Sequence, residues 1–327
     1  MAKSGCLGSE TDYSDRLLEG LSVLVTGATG FIGTHLTQRL LTAGSRVACL
    51  LSSERRMSNL PPGTTGHVAD LRDAGAVKAA VKAASPALVF HLAAVGVTEF
   101  GIDPITAIQV NVEGTINLLM ALEGTGYYRF LFTGTSHEYG DDNSPFHQAR
   151  LPSPPNVYAA SKSAAWLFCQ MYQRVRGWPI VGLRPFGVYG SGQRPPAFLP
   201  SLILSALRGQ DFPMTGGKQV RDFIYIQDVI EGMLRAATVP GIEGQTFNLC
   251  SGRGASLAEV AGRVVAQMGK PVHIHLGALP YRPGTIWHMV GDNSMARELL
   301  HWQPTVSLDE GLRRTIDWCG RNLIGNE

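Results

Sequence analysis

The chain has 327 residues, of which 44% are hydrophobic and 17% charged, and its formal net charge at pH 7 is +2. This length predicts about two domains, and a core large enough to need no disulfide or metal for stability. The near-neutral charge, without a basic stripe, argues against nucleic acid as a partner. We see no apolar run of about 18 residues, so we expect no membrane span.

Cysteine usage and the N-terminal segment both point to a cytoplasmic protein. The five cysteines, at positions 6, 49, 169, 250 and 319, are scattered and form no C-x-x-C pair, so we expect reduced thiols. Residues 1–19 are polar and lack the apolar centre of a secretory signal. We expect them to form a flexible or loosely docked arm.

Strands and helices alternate from Leu21 onward. Short apolar runs predict buried strands at 21–26, 46–51, 67–69, 87–91, 129–133 and 180–183. Helical patterns between them include one that ends near Ala43 and three that cover 74–84, 104–123 and 157–176. This alternation implies a parallel sheet with helices on both faces, the doubly wound α/β architecture of a Rossmann domain.

Gly, Pro and aromatic residues crowd the irregular segments that follow Arg184. We expect residues 20–183 and 222–250 to form the NAD(P)-binding domain. Residues 184–221 and 251–323 would then form a smaller substrate-binding lobe. The segment Phe223–Asn248 is predicted to return to the main sheet.

A glycine loop connects the first predicted strand to the first helix. Gly27, Gly30 and Gly33 follow a G-x-x-G-x-x-G pattern, in the context that a dinucleotide pyrophosphate requires. Glycine allows the tight turn and a close backbone approach, and the helix N-terminus attracts phosphate. The predicted cofactor contacts of this loop are Gly27, Thr29, Gly30, Phe31, Ile32 and Gly33.

The second strand has no acidic residue at its end to bind a free ribose 2′-hydroxyl. It is followed by Ser52, Ser53, Glu54, Arg55 and Arg56. Hydroxyls and guanidinium groups suit a 2′-phosphate, so we expect NADP(H) rather than NAD(H). In the alternative, both arginines are solvated and Glu54 reaches the ribose. Asp70 and Leu71, after the third strand, are predicted to contact the adenine.

Tyr158 and Lys162 lie four residues apart at the start of a predicted helix, and therefore on one face of it. A nearby ammonium group and a nicotinamide cation would favour the phenolate of Tyr158. The tyrosine would then titrate closer to neutral pH, where acid–base catalysis is efficient.

Together these motifs resemble the extended short-chain dehydrogenase/reductase family, the group of nucleotide-sugar epimerases, dehydratases and reductases. The resemblance covers about residues 21–323. It is based on segments 26–33, 91–94, 111–115, 135–140, 158–162, 183–190, 221–228 and 281–284.

The resemblance implies roles for individual residues. Tyr158 would be the catalytic acid/base, Lys162 would bind the nicotinamide ribose, Thr135 would hold the reacting oxygen, and Asn111 would support the site. Leu92, Ala93 and Ala94 would contact the cofactor, while Arg221 and Arg282 would bind the diphosphate of a nucleotide sugar. The helices over 104–123 and 157–176 would pair across a two-fold axis in a homodimer.

Departures from the family pattern bear on the reaction. Ser136 and His137 stand where 4,6-dehydratases usually have Asp-Glu, and segment 138–140 resembles reductases more than 4-epimerases. We expect NADPH-dependent reduction of a nucleotide-linked 4-keto-6-deoxy sugar. The alternatives are a 4-epimerase that retains NAD and, from another class, a non-catalytic NADP-binding regulator. Gly187 replaces the usual Asn of the R-x-F-N-x-Y-G segment, which alters one substrate contact.

Three further features are ambiguous from sequence. His137 either lines a loop or contacts the sugar, where it could serve as a second proton donor. Residues 98–100 either line the sugar pocket or form a surface loop. His273 and His275 alternate along a predicted strand without a third ligand in range, so we expect no metal site.

Overall fold

The computed structural model describes residues 15–97, 101–143, 145–269, 272–282 and 284–324. Its strands are β1 (Ser22–Thr26), β2 (Arg46–Leu51), β3 (Thr65–Val68), β4 (Leu88–His91), β5 (Arg129–Thr133), β6 (Ile180–Pro185), β7 (Gly187–Tyr189), β8 (Phe212–Met214), β9 (Val220–Tyr225), β10 (Thr246–Leu249), β11 (Gly254–Ser256), β12 (Ile274–Leu276) and β13 (His288–Met289).

The helices are α1 (Phe31–Thr42), α2 (Ala74–Ala84), α3 (Pro104–Leu122), α4 (Val157–Arg176), α5 (Phe198–Leu207), α6 (Ile226–Thr238), α7 (Leu257–Met268), α8 (Ser294–Leu299) and α9 (Leu308–Asn322). Within α3, residues Ile108–Glu113 have π-helical geometry. Short 3-10 segments cover Glu54–Asn59 and Ser136–Tyr139.

Seven parallel strands form the main sheet in the order β10-β6-β5-β4-β1-β2-β3. Buried side chains alternate between its faces: Val23 and Val25 pack with α1 and α6, while Leu24 packs with α2 and α3. This confirms the doubly wound α/β prediction. Chain order reverses between β1 and β4, and ligands of such sheets bind at the carboxyl edge of this switch point.

The lobe is built around a second sheet, in which β9 pairs with β7, β11 and β13. The predicted return of Phe223–Asn248 to the main sheet is therefore wrong for its first residues, and the chain rejoins that sheet at β10. On one face of β9, Arg221 and Phe223 are partly buried and Tyr225 is buried. Strand β6 of the main sheet extends to Pro185, two residues beyond the predicted domain boundary at residue 183.

The N-terminal arm is docked where the structure describes it, which favours the docked alternative for these residues over the flexible one. Residues 15–18 form a helical turn, Leu18 is fully buried in the core, and Asp15 pairs with Arg39 at 2.7 Å. Burial of an apolar side chain and this ion pair explain the docking. The remainder of the arm, residues 1–14, lies outside the described residues.

Helix α3 is long and apolar enough to cross a membrane, judged by length and composition alone. Half of the segment is buried inside the protein, where Leu118, Leu119 and Leu122 join the core. Core helices of globular proteins meet the same criterion, so α3 is weak evidence for a membrane span.

Candidate active site

The glycine loop places backbone where side chains do not fit. Gly27 has a φ of +73°, and a Cβ there would lie 2.8 Å from the backbone nitrogen of Ala93. A Cβ on Gly33 would overlap the carbonyl oxygen of Gly27. Helix α1 starts directly after Gly30 without a side-chain cap, so its first N–H groups face outward. This arrangement fits the pyrophosphate of a dinucleotide.

A cavity of about 990 Å³ extends from this loop along the carboxyl edge of the main sheet to the lobe. The predicted site residues that line it are Gly27, Thr29, Gly30, Phe31, Ile32, Gly33, Ser52, Arg56, Asp70, Leu71, Leu92, Ala93, Ala94, Thr135, Ser136, His137, Tyr158, Lys162, Gly187 and Arg221. Four others are not among its lining residues: Ser53, Arg55, Asn111 and Arg282.

The ends of β2 and β3 form one end of the cavity. Arg56 reaches over the glycine loop, where its Nη1 donates to Thr29 Oγ1 at 3.3 Å, while Arg55 lies outside the cavity. Arg72, which was not identified from the sequence, donates to Asp70 through Nε at 3.0 Å and Nη2 at 2.6 Å. These bonds lower the pKa of Asp70. The end that suits adenosine is therefore polar and carries two guanidinium groups.

Asn111 supports the site from behind the cavity wall. Its Oδ1 accepts from Val95 N at 2.9 Å, and its Nδ2 donates to Val95 O at 3.1 Å and Ser161 Oγ at 2.9 Å. Ser161 Oγ donates in turn to the carbonyl oxygen of Tyr158. Since these bonds occupy both ends of the buried amide, Asn111 positions the loop after β4 and helix α4 instead of contacting a ligand.

Tyr158 lies in the first turn of α4, which Asn156 caps through its Oδ1, and its hydroxyl is hydrogen-bonded to the side chain of Thr135. Burial raises the pKa of Tyr158, the Glu138 carboxylate raises it further, and the Thr135 bond lowers it. Burial and the carboxylate therefore keep the hydroxyl of Tyr158 neutral at physiological pH, and the shift toward neutral pH that a nicotinamide cation would favour stays a prediction.

Lys162 lies one turn further along α4 and is 1% exposed. Its Nζ has no hydrogen-bond partner and lies 4.3 Å from the ring centroid of Phe132. Burial lowers the pKa of Lys162 to about 8. A buried amine that lines a ligand cavity without a partner fits the role of binding ribose hydroxyls of a nicotinamide cofactor.

The lobe side of the cavity presents Arg221 and His137. Arg221 Nη1 and Nη2 donate to the carbonyls of Val220 and Ile286, at 2.8 and 2.7 Å. Burial lowers the pKa of Arg221 to about 10, so it remains a cation at neutral pH. Burial, and to a smaller extent Arg221, lowers the pKa of His137 to about 4. His137 is therefore neutral, and its imidazole can donate or accept a hydrogen bond.

Of two other predicted substrate contacts, Gly187 lines the cavity and Arg282 does not. Gly187 lines the cavity, and a Cβ there would lie 2.7 Å from the carbonyl oxygen of Asp222. Arg282 is exposed and is not among the lining residues. The segment 98–100 lies outside the described residues.

Sequence reasoning missed several lining residues besides Arg72, including Thr133, Phe186, Gln193 and Met289. Thr133 ends β5, and its place at the carboxyl end of a central parallel strand was a usable signal. Gln193 and Met289 come from the irregular lobe, where no local pattern indicates which side chains face the cavity.

Comparison with known proteins agrees with this geometry. Residues 23–250 match the family model described as "NAD dependent epimerase/dehydratase family". The chain is 29% identical to a UDP-glucuronate 4-epimerase of Thermodesulfobacterium geofontis, covering 92% of this chain and 96% of that protein. It is also 29% identical to a GDP-6-deoxy-D-mannose reductase of Pseudomonas aeruginosa, covering 91% and 97%.

A solved structure of Thermus thermophilus UDP-glucose 4-epimerase in complex with NAD aligns with a TM-score of 0.84 and 30% identity, covering 92% of this chain and 99% of that one. Thermotoga maritima UDP-glucose 4-epimerase with UDP-glucose aligns with a TM-score of 0.86 and 27% identity, at the same coverage. The chain belongs to the NAD-dependent epimerase/dehydratase family, the extended short-chain dehydrogenases/reductases whose members act on nucleotide sugars.

Proposed function

We propose that the protein catalyses the NADPH-dependent reduction of a nucleotide-linked 4-keto-6-deoxy sugar. The observation that carries this proposal is the adenosine end of the cavity. Strand β2 ends without an acidic residue, and Arg56 projects over the glycine loop where a 2′-phosphate would lie. A net reductase must exchange its cofactor, and cells maintain NADPH as the reductant. The GDP-6-deoxy-D-mannose reductase relative supports this assignment.

In this proposal Tyr158 is the proton donor. Its hydroxyl is neutral at physiological pH, because burial raises its pKa, and Thr135 is hydrogen-bonded to it. Each hydroxyl has a single proton, so a ketone oxygen beside them could accept a hydrogen bond from each once the bond between the two hydroxyls opens. Both bonds would then stabilise the alkoxide that forms on reduction. When bound, the nicotinamide supplies the hydride. Tyr158 then transfers its proton to the sugar oxygen, and Lys162 holds the cofactor ribose.

Residues of the lobe would hold the nucleotide sugar. The Arg221 guanidinium is fixed by two backbone carbonyls and suits a diphosphate oxygen. Neutral His137 and Ser136 line the cavity beside it and suit sugar hydroxyls. Arg282 is exposed, so we assign it to the diphosphate only if the lobe moves toward the substrate.

The second candidate is a nucleotide-sugar 4-epimerase that retains NAD. The same Thr135, Tyr158 and Lys162 would serve both of its half-reactions, and 4-epimerases are prominent among the relatives with solved structures. The two candidates differ in cofactor turnover. A reductase consumes NADPH in proportion to product, whereas an epimerase recycles a bound cofactor.

The test is an incubation of the protein with NADPH and CDP-, GDP-, dTDP- and UDP-linked 4-keto-6-deoxyhexoses, followed by the loss of NADPH absorbance. Mass analysis of the denatured protein identifies any copurified cofactor. Stoichiometric NAD with no NADPH consumption, and with interconversion of 4-epimers, would replace the reductase by the epimerase. NADP(H) binding without any turnover would favour the regulator.

We further propose a cytosolic homodimer. Apolar side chains remain exposed on α3 and α4, including Ile105 at 60%, Leu167 at 57% and Phe168 at 40%. These helices can pair with their copies across a two-fold axis, which would bury this face. Cys49, Cys169, Cys250 and Cys319 are buried free thiols, which supports the cytosolic location.

A further inference from the structure

A buried histidine lies under the switch-point crevice of the main sheet. His91 ends β4 and pairs in register with Thr26, which ends β1, and both residues are fully buried. The chain continues from Thr26 into Gly27 of the glycine loop, and from His91 into the loop that carries Ala93. Gly27 and Ala93 line the cavity, whereas His91 is not among its lining residues. Any effect of His91 on a ligand must therefore act through these neighbours.

Both ring nitrogens of His91 are within hydrogen-bond distance of a threonine hydroxyl. Nδ1 lies 2.7 Å from Thr26 Oγ1, and Nε2 lies 2.9 Å from Thr115 Oγ1 on α3. Thr26 Oγ1 also accepts from the backbone N–H of Ala93 at 3.1 Å. Thr115 Oγ1 donates to the carbonyl oxygen of Asn111 at 2.6 Å. These bonds form one chain, which runs from the loop after β4 through His91 to α3.

The protons of this chain can be assigned one by one. A carbonyl oxygen only accepts, so the single hydroxyl proton of Thr115 is used on Asn111, and His91 Nε2 must donate to Thr115. A neutral imidazole has one N–H, so Nδ1 is an acceptor and the Thr26 hydroxyl donates to it. Burial, and to a smaller extent the Lys162 ammonium, lowers the pKa of His91, which agrees with a neutral ring.

This assignment fixes the orientation of the Thr26 hydroxyl. Because its proton points to His91, a lone pair is left to face the Ala93 N–H. The Thr26 carbonyl accepts from the N–H of Leu92 at 3.2 Å, so the side chain of Thr26 extends the β1–β4 pairing by one residue into the cavity wall. Without an acceptor at Nδ1, the buried hydroxyl proton would have no partner in this chain.

We propose that His91 is a positioning residue, fixed as the neutral Nε2–H tautomer, which fastens the loop after β4 to the start of the glycine loop and so preforms the crevice for the dinucleotide. A preformed crevice lowers the ordering cost of binding. The inference rests on the proposed function only in placing a nicotinamide dinucleotide in this crevice, and it applies to NADH and NADPH alike.

Two amide variants separate the two sides of the ring. The amide oxygen in His91→Asn can take the place of Nδ1 and accept from Thr26, whereas the amide nitrogen in His91→Gln can take the place of Nε2 and donate to Thr115. His91→Gln should raise the Kd of both cofactors by about tenfold, because the loop after β4 must then be ordered on binding. His91→Asn should rescue this loss to within about threefold of wild type.

Fluorescence titration of NADH and NADPH measures these Kd values, and thermal melting measures stability separately. Val89→Ala is the matched control, since Val89 is buried on the same face of β4 and does not line the cavity. It should lower the melting temperature without changing either Kd. Thr26→Val removes the hydroxyl and should repeat the loss seen in His91→Gln. The combined variant should bind about as weakly as either single variant, because both break the same link.

An unchanged Kd in His91→Gln, an Asn variant as weak as the Gln variant, or additive losses in the combined variant would overturn the proposal. If His91→Gln does not fold, the spectrum of the histidine ring nitrogens in wild type decides. The His91 signals, identified by their absence in His91→Asn, should show a protonated Nε2 and an unprotonated Nδ1 from about pH 6 to about pH 8. A protonated Nδ1 contradicts the assignment. Equal affinity for both cofactors would remove the NADPH assignment and leave the role of His91 intact.

Discussion

Replacement of Arg56 by Ala should weaken NADPH binding and leave NADH binding nearly unchanged. The guanidinium lies at the adenosine end of the cavity, 3.3 Å from Thr29 Oγ1, and the two cofactors differ there only in the 2′-phosphate. Arg55 precedes it in the sequence but does not line the cavity. The pair therefore offers a residue predicted to contact the phosphate and a matched neighbour that is not.

The solvent exposure of Arg56 determines how much NADPH affinity its replacement should cost. A hydrogen bond to a charged group contributes about 1.5–3 kcal/mol when it is shielded. Arg56 is exposed in the 3-10 segment after β2, so solvent screening reduces its contribution. We expect a loss of about 1–2 kcal/mol, which corresponds to an increase in Kd of about 5- to 30-fold.

Fluorescence titration of both cofactors against wild type, Arg56→Ala and Arg55→Ala measures this effect. The difference between wild type and Arg56→Ala should shrink at high salt, because ions screen an exposed phosphate contact. An equal loss for NADPH and NADH, or an equal loss in both arginine variants, would show that Arg56 does not discriminate the 2′-phosphate. The basis of the NADPH assignment would then be lost.

Four further outcomes are expected. Tyr158→Phe should lower kcat by about 10²- to 10⁴-fold with cofactor Kd unchanged, measured by turnover and titration; unchanged turnover would mean that another group donates the proton. Gly33→Ala should abolish the rise in melting temperature on NADPH addition, because its Cβ would overlap the Gly27 carbonyl oxygen; a retained rise contradicts the loop geometry. Arg221→Gln should raise the KM for the nucleotide sugar about tenfold or more and leave cofactor Kd unchanged, and a change in cofactor Kd instead would reassign it. Leu167→Glu should convert a dimer to a monomer by light scattering, and a monomeric wild type would refute the proposed interface.

The sequence predicts the Rossmann domain well because its elements have local causes. Strand β5 and helices α2 and α4 begin and end at the predicted residues. Buried parallel strands require apolar runs, and long amphipathic helices require a 3.6-residue period, so each pattern can be recognised without knowledge of its neighbours. The glycine loop is equally local, since its backbone geometry excludes side chains.

The lobe and the details of the site depend on contacts between distant segments. Strands β7, β11 and β13 have only two or three residues, and their pairing with β9 has no local pattern. For the same reason, no local pattern indicates that Asn111 lies behind the cavity wall. Nor does one indicate the upward shift in the pKa of Tyr158, since both the burial of its hydroxyl and the nearby Glu138 carboxylate arise from tertiary packing.

Gly187 restricts how the substrate range of this enzyme can be altered. The Asn that is usual here in the family needs a Cβ, which would lie 2.7 Å from the Asp222 carbonyl oxygen. Strand β9 cannot easily move away, because the Asp222 carboxylate accepts from the backbone N–H groups of Ser251, Gly252 and Gly291. A single exchange to Asn would therefore disrupt the lobe instead of adding a substrate contact. Any evolutionary or engineered route to the usual family pocket must change β9 and position 187 together.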